Sequence, residues 1–227
     1  MKPQQLFEIL YQDKDIIAVY KKSGLLTIGT DKDPDHNLYH YVREYANLHR
    51  QKVFIVHRLD RDTSGIVLFA KTYELKEKIQ KAFENREVER KYEAVVREKL
   101  PLNIEKKVVQ YLFYDKRSGR VFVTDDKRKG LDAITYVKTN NLMDIGTALD
   151  IRIETGRQNQ IRLALHSLHY TLIGDEKYAH DESKKMLLNE YSLKLPKYLP
   201  IKKHEFVMRP LWLVNKKEDK DENSGCN

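Results

Sequence analysis

His57-Arg58-Leu59-Asp60-Arg61-Asp62-Thr63-Ser64-Gly65 is the stretch that decides the fold, and it lies between the apolar runs 53–56 and 66–70. The two runs predict buried strands, and the segment that joins them carries more charge than a simple turn needs. Asp60 stands between Arg58 and Arg61, and we expect these cations to lower its pKa. An ionised aspartate of this kind could act as a nucleophile or as an electrostatic partner. The alternative is a charged, solvated loop, because structural ion pairs also shift pKa values.

The composition indicates a globular chain with a polyanionic partner. The 227 residues allow one large domain or two small ones, and 41% are hydrophobic. The formal net charge of +8 favours nucleic acid as the partner, although it also fits a protein that is merely soluble. The single cysteine, Cys226, allows neither an intramolecular disulfide nor a cysteine-type zinc site. Since no signal peptide or transmembrane run is evident, we expect a cytoplasmic protein.

Hydrophobic periodicity predicts an α+β fold with many strands. Asn37 should cap a helix that runs to about His49, and a second helix should begin at Thr72. Further strands are predicted at 15–20, 88–97, 111–114, 121–123, 133–137 and 148–153. A third helix should follow the turn at Gly156, and its free backbone N–H groups would form an anion site together with Arg157 and Arg162. The alternative for this helix is an amphipathic segment with surface arginines.

The segment His57 to Gly65 resembles the signature of the RluA-like family of pseudouridine synthases, His-Arg-Leu-Asp-x-x-Thr-Ser-Gly, at seven specified positions in nine. Four more stretches resemble family motifs: residues 21–27 (Lys-Pro-x-Gly-Leu-x-Thr), 90–92 (Lys-x-Tyr), 156–162 (Gly-Arg-x-His-Gln-Ile-Arg) and 174–178 (Gly-Asp-x-x-Tyr). Residues 188–193 lie where many members have Leu-His-Ala-x-x-Leu. Among the departures from these patterns are Lys22 for proline and Asn159 and Asn189 for histidine. Asparagine keeps hydrogen bonding but loses protonation.

The resemblance implies a mixed, mostly antiparallel sheet flanked by helices, the catalytic fold of pseudouridine synthases. We expect residues 1–215 to form this catalytic domain and residues 216–227 to form a disordered, charged tail. Many members carry a small basic RNA-binding domain before the catalytic one. Too few residues precede the first motif to hold it, so we expect no separate N-terminal RNA-binding domain.

The resemblance also implies a reaction, the isomerisation of uridine to pseudouridine in ribosomal or transfer RNA, and a set of site residues. Asp60 would attack the ribose or assist removal of a ribose proton, Tyr92 would pack on the base, and Arg162 would pair with Asp60. Arg58 would help to open the base stack or fill the gap that the base leaves. The other substrate-binding residues implied are His57, Arg61, Thr63, Arg157, Gln160 and Ile161.

No metal, cofactor or nucleotide is expected, because the bonds broken and formed both lie within the substrate, and we expect a monomer that does not bind membranes. Two alternatives stay open. One is an inactive RNA-binding homologue, suggested by Asn159 and Asn189. The other is a metal-dependent nuclease that uses Asp60 and Asp62, although metal ligands usually come from several elements.

Overall fold

A single sheet of eleven strands organises the computed structural model, which describes residues 7–31, 33–210 and 212. The strands are β1 (Phe7–Gln12), β2 (Ile16–Lys21), β3 (Phe54–Ile55), β4 (Ser64–Ala70), β5 (Glu89–Val96), β6 (Glu105–Asp115), β7 (Arg120–Thr124), β8 (Leu131–Met143), β9 (Gly146–Ile153), β10 (Leu188–Lys194) and β11 (Glu205–Val207). The helices are α1 (Leu38–Leu48), α2 (Tyr73–Glu84), α3 (Gln160–Ser167) and α4 (Glu176–Ala179).

The strand order confirms the predicted mixed, mostly antiparallel sheet. It reads β1-β2-β4-β10-β5-β9-β8-β6-β7, with β11 paired to β10 and β3 paired to β4. Within the described residues, β10 and β4 form the parallel pair, in a register that places Glu190 opposite Gly65. The other pairs are antiparallel, and β10 has β5 on its second side with Glu190 opposite Tyr92. Strand β10 therefore brings a late segment of the chain between two early ones.

Helices cover both faces of the central strands, which explains why β4 reads as one continuous apolar run. Val67 and Phe69 of β4 pack in one apolar cluster with residues of α1 and α3. Ile66 and Leu68 point to the opposite face and pack in a second cluster with residues of α2. Every residue of β4 is buried, so this strand forms the centre of the molecule.

The first two helices begin where the sequence predicts. The Asn37 side chain accepts a hydrogen bond from the His40 backbone N–H at 3.0 Å, and the Thr72 hydroxyl accepts one from that of Leu75 at 3.2 Å. Each bond satisfies one of the free donors at a helix start. Helix α1 ends at Leu48, one residue before the predicted end.

Two predicted elements are shorter than expected. Strand β3 spans only Phe54–Ile55, because β10 occupies the same edge of β4 at residues 64 and 65 and leaves β3 only its far end. Helix α3 begins at Gln160 and not directly after Gly156. The delay arises because Asn159 has a φ of 56°, a left-handed backbone conformation that a right-handed helix cannot contain.

Three further expectations concern the C-terminal tail, membrane-spanning segments and metal sites. The predicted tail at 216–227 lies beyond the described residues. Within the described part of the chain, no helix is long and apolar enough to cross a membrane. The same residues contain no group of three or more His, Cys, Asp or Glu side chains arranged to hold a metal ion.

Candidate active site

The loop that carries Asp60 is fixed by the segment that follows β2. The Lys21 ammonium group is fully buried and donates a hydrogen bond to the Arg61 carbonyl at 2.9 Å. The Thr27 hydroxyl donates to the Leu59 carbonyl at 2.7 Å and accepts from the Leu59 N–H at 3.1 Å. Both neighbours of Asp60 are therefore held by their backbone, which restricts where its carboxylate can point.

The Asp60 carboxylate meets the start of α3. Its Oδ2 accepts a hydrogen bond from the backbone N–H of Asn159, the N-cap residue, at 3.1 Å. The sequence predicts an anion site near this helix start, and the anion that the structure brings there is the protein's own carboxylate. The side-chain oxygen of Gln160, the first residue of α3, accepts hydrogen bonds from the Arg157 N–H at 3.0 Å and from the Thr155 hydroxyl at 2.8 Å. These bonds hold the turn that precedes the helix.

The predicted direction of the Asp60 pKa shift is wrong. Burial raises the pKa of this carboxyl above its usual value, because desolvation disfavours the charged form. The opposing influences, which lower it, are the hydrogen bond from Asn159 and then the charges of Arg162, Arg58 and Lys21. The sequence shows the neighbouring cations but does not show that the loop folds inward.

The predicted direct pair between Arg162 and Asp60 is also wrong. Arg162 forms a two-point salt bridge with Asp175, with Nε–Oδ2 at 2.9 Å and Nη2–Oδ1 at 2.5 Å. Its remaining nitrogen, Nη1, donates to the Asn159 side-chain oxygen at 3.0 Å. Asp175 is buried and also caps α4 through the Tyr178 N–H, so it requires a cation close by. Arg162 therefore influences Asp60 through its charge and through Asn159.

Tyr92 of β5 lies close to Asp60 and is contributed by the sheet. Its side chain is 5% exposed, and its hydroxyl donates to Oε2 of Glu190 on β10 at 2.6 Å. Burial and the nearby Glu190 carboxylate raise the Tyr92 pKa well above its usual value, so the hydroxyl keeps its proton in the resting protein.

A cavity of about 150 Å³ joins most of the predicted site residues. Eight of the ten line it: Arg58, Asp60, Thr63, Tyr92, Arg157, Gln160, Ile161 and Arg162. These residues come from the loop after β3, from β5 and from the start of α3. The cavity thus unites three of the stretches that the sequence singles out.

His57 and Arg61 do not line this cavity. The His57 ring accepts a hydrogen bond from the Leu68 backbone N–H at 3.1 Å and stacks on Phe83 with ring centres 4.9 Å apart. Burial lowers the pKa of His57 to about 3, so the ring is neutral and supports the sheet. The Arg61 side chain is exposed and donates to the Gly24 carbonyl at 3.2 Å.

The departures from the family pattern at Lys22, Asn159 and Asn189 have different surroundings. Asn159 is buried next to Asp60, where its backbone and its side chain both form hydrogen bonds. Asn189 is buried in β10 and accepts from the hydroxyls of Tyr20 and Ser64, each at 2.9 Å. Lys22 is exposed, so the side chain that stands in place of the proline lies in solvent.

Four charged residues around the cavity are absent from the set predicted as site residues: Lys21, Arg90, Asp175 and Glu190. Arg90 lines the cavity, and Asp175 neutralises Arg162. Lys21 and Glu190 are fully buried at the end of one strand and within another, which the sequence does not show because polar residues such as Lys22 and Asn189 stand beside them. A buried charge in a strand usually has a specific partner.

Comparison with known proteins gives one consistent family. The sequence model of the family described as RNA pseudouridylate synthase matches residues 15–167. A ribosomal large subunit pseudouridine synthase C of Rickettsia bellii is 34% identical over 83% of this chain and 64% of its own length. A ribosomal large subunit pseudouridine synthase D of Yersinia pestis is 31% identical over 78% of this chain and 54% of its own. The chain thus spans little more than half the length of such relatives.

Two solved human structures share the fold. Human RNA Pseudouridylate Synthase Domain Containing 4 has a TM-score of 0.73 at 20% sequence identity, covering 91% of this chain and 90% of its own. Human RNA Pseudouridylate Synthase Domain Containing 1 has a TM-score of 0.74 at 18% identity, covering 91% and 84%. At these identities the likeness concerns the arrangement of the sheet and its helices.

Proposed function

Since the chain belongs to the RNA pseudouridylate synthase family, we propose that it isomerises specific uridines in RNA to pseudouridine, with Asp60 as the catalytic carboxylate. One observation carries the proposal: Asp60 lines a cavity together with Tyr92 and is aimed by the backbone N–H of Asn159. A carboxylate, an aromatic ring and a helix start in one small cavity suit a reaction on a single extruded nucleotide.

The reaction needs only groups that the cavity and the substrate contain. The bond between uracil N1 and ribose C1′ breaks, the uracil turns, and a bond forms between its C5 and C1′. Asp60 either attacks C1′ or assists removal of a ribose proton, and both routes require its ionised form. Burial raises the Asp60 pKa, whereas the Asn159 N–H and the charge of Arg162 favour the ionised carboxylate that both routes use.

The proposed substrate class is ribosomal RNA, with transfer RNA as the alternative. The relatives named as ribosomal large subunit pseudouridine synthases support the first choice. The charge of +8 suits either RNA, and Arg58 and Arg157 at the cavity are suited to the phosphates that flank an extruded base. A base inside a duplex cannot reach a carboxylate within a cavity, so a loop or a flipped nucleotide is required.

The test is a map of pseudouridine across all cellular RNAs, made with and without the gene, followed by reaction of the purified protein with the RNA identified. We expect one or a few uridines in ribosomal RNA to lose the modification and the purified protein to restore it, also with excess chelator. Unchanged maps together with tight RNA binding would indicate the inactive homologue. RNA cleavage that chelator abolishes would indicate the nuclease.

A further inference from the structure

A second carboxylate lies directly behind Tyr92. Glu190 of β10 is fully buried, and its Oε2 accepts the Tyr92 hydroxyl hydrogen bond at 2.6 Å. Its other oxygen, Oε1, has no hydrogen-bond partner among the described residues. A buried carboxylate with an unsatisfied oxygen is costly for stability, so its presence here requires an explanation.

Glu190 can reach a molecule in the cavity only through the tyrosine. Tyr92 lines the cavity, whereas Glu190 does not. On the other side, β4 presents Gly65, where an added Cβ would lie 2.5 Å from the Glu190 carbonyl oxygen. The strands therefore approach closely at Glu190, its carboxylate is fully buried, and its hydrogen bond to Tyr92 is its link to the cavity.

We propose that Tyr92 and Glu190 form a proton relay that removes the proton from C5 of the rearranged uracil, with Glu190 as a positioning residue that acts through the Tyr92 hydroxyl. The inference rests on the proposed function and adds a role for a residue to it. It concerns a step that both routes for Asp60 share, since each produces a uracil joined to C1′ through a C5 that still carries hydrogen.

The step balances without any further reactant. The C5–H bond breaks and its electron pair returns to the uracil ring. The proton passes to the Tyr92 oxygen while the Tyr92 hydroxyl proton passes to Glu190 Oε2. That electron pair leaves a negative charge on uracil N1, which takes up one proton. Glu190 returns its proton to the Tyr92 oxygen, and the proton that Tyr92 took from C5 passes on to N1. The substrate and product therefore differ only in the position of one bond and one proton.

The charges around Glu190 allow it to accept a proton near neutral pH. On β5 these are Tyr92, its hydrogen-bond partner, and Arg90, while Asp60 acts on Tyr92 from the loop. Strand β4 contributes no charge at Gly65. The next strand of the sheet, β2, places Lys21 opposite that glycine. Burial raises the pKa of Glu190 to about 7, so its ionised fraction rises as the pH increases through that value.

The experiment measures single-turnover rates on target RNA that carries either uridine or 5-deuterouridine, across pH 6 to 9. In Glu190→Gln, which keeps the shape of the side chain, we expect the rate at pH 8 to fall by ~10-fold or more. The isotope effect should increase, because proton removal becomes slower than the other steps. The rise of rate around pH 7 should be lost. Tyr92→Phe should show the same losses, and the double variant should be no slower than Tyr92→Phe alone.

Glu93→Gln is the matched control. Glu93 is the next residue on β5, points to the opposite face, and is also a buried carboxylate whose pKa burial raises to about 7. It pairs with Arg209 at 2.8 Å, away from the cavity. We expect Glu93→Gln to keep the wild-type isotope effect and pH profile. If Glu190→Gln does not fold, Glu190→Ala provides the same comparison, because it also removes the carboxylate.

The outcomes separate this inference from the function on which it rests. A wild-type protein that makes no pseudouridine on any RNA overturns the proposed function and the relay with it. A wild-type protein that turns over, with a Glu190→Gln variant that keeps its rate, isotope effect and pH profile, overturns the relay alone.

Discussion

Arg162 shows how one residue's role depends on a partner that its motif does not contain. Its guanidinium is bound by Asp175, with side-chain exposures of 8% and 1%. Asp60 lines the cavity, and its carboxylate accepts a hydrogen bond from the Asn159 N–H and not from Arg162. One aspartate therefore neutralises the arginine, and the other remains available for a substrate.

We predict that Asp175→Asn destabilises the protein by ~3–5 kcal/mol, because it leaves the buried Arg162 charge without its partner. Denaturant unfolding measures the loss. Asp132→Asn is the control, since Asp132 also forms salt bridges with two arginines, Arg86 and Arg157, but is 37% exposed. That change should cost less than ~1 kcal/mol. Equal losses in the two variants would show that the Arg162–Asp175 pair is not a buried, stabilising contact.

We predict that Tyr92→Phe weakens RNA binding much less than Tyr92→Ala. Packing on a base requires the aromatic ring, and stacking of one base contributes ~1–3 kcal/mol. The hydroxyl that Phe lacks points to Glu190, so its loss should appear in the rate. Affinities measured on one RNA at fixed salt provide the comparison. Equal weakening in both variants would argue against a stacking role for the ring.

At the residue scale, the sequence singles out residues that the fold brings together in one cavity, but it does not predict their electrostatics. Asp60, Tyr92 and Arg162 were identified from their motifs, and all three line the cavity. The lowered pKa expected for Asp60 was wrong, because burial depends on how the loop folds and not on the charges beside it in sequence. The partner of Arg162 lies 13 residues further on, and only the fold brings the two together.

At the scale of elements, the site depends on β10 lying between β4 and β5. Strands β4 and β5 are close in sequence, whereas β10 begins more than ninety residues after the end of β5. The predicted strands near β4 and β5 are confirmed, and the hairpin of β6 and β7 as well. The parallel register of β10 and β4 was not predicted, because hydrophobic periodicity identifies strands but not their partners. The left-handed Asn159 that delays α3 is likewise a property of the folded turn.

We predict that Gly65→Ala is strongly destabilising, by ~3 kcal/mol or more. Gly65 has a φ of +136°, and an added Cβ would lie 2.5 Å from the Glu190 carbonyl oxygen, so β4 and β10 would have to separate. Gly24→Ala is the control, since its φ of +90° is also left-handed but no atom lies within 4 Å of the added Cβ. Thermal unfolding of both variants gives the comparison. A Gly65→Ala variant as stable as Gly24→Ala would contradict the close approach of the two strands.

At the scale of the whole molecule, the excess of positive charge predicts RNA binding that depends on salt. Neutralising phosphates releases counterions, and six to ten phosphate contacts would lower the affinity by ~10³–10⁵ between 50 and 200 mM salt. Arg58→Ala, at the cavity, should weaken binding and reduce the slope of log affinity against log salt concentration by about one, because one phosphate contact is lost. Lys78→Ala is the control, because Lys78 is exposed on α2 and lies outside the cavity lining. An affinity that is flat across the salt series would indicate a substrate other than RNA.

The most direct test of the account is the yield of pseudouridine from the purified Asp60→Asn protein, measured by mass spectrometry on the target RNA at saturating enzyme. Asp62→Asn is the control, a second carboxylate of the same loop that does not line the cavity. We predict no pseudouridine from Asp60→Asn, with its fold and most of its RNA affinity intact, and near wild-type yield from Asp62→Asn. A folded Asp60→Asn protein that turns over at a near-normal rate would contradict the assignment of Asp60 as the catalytic carboxylate.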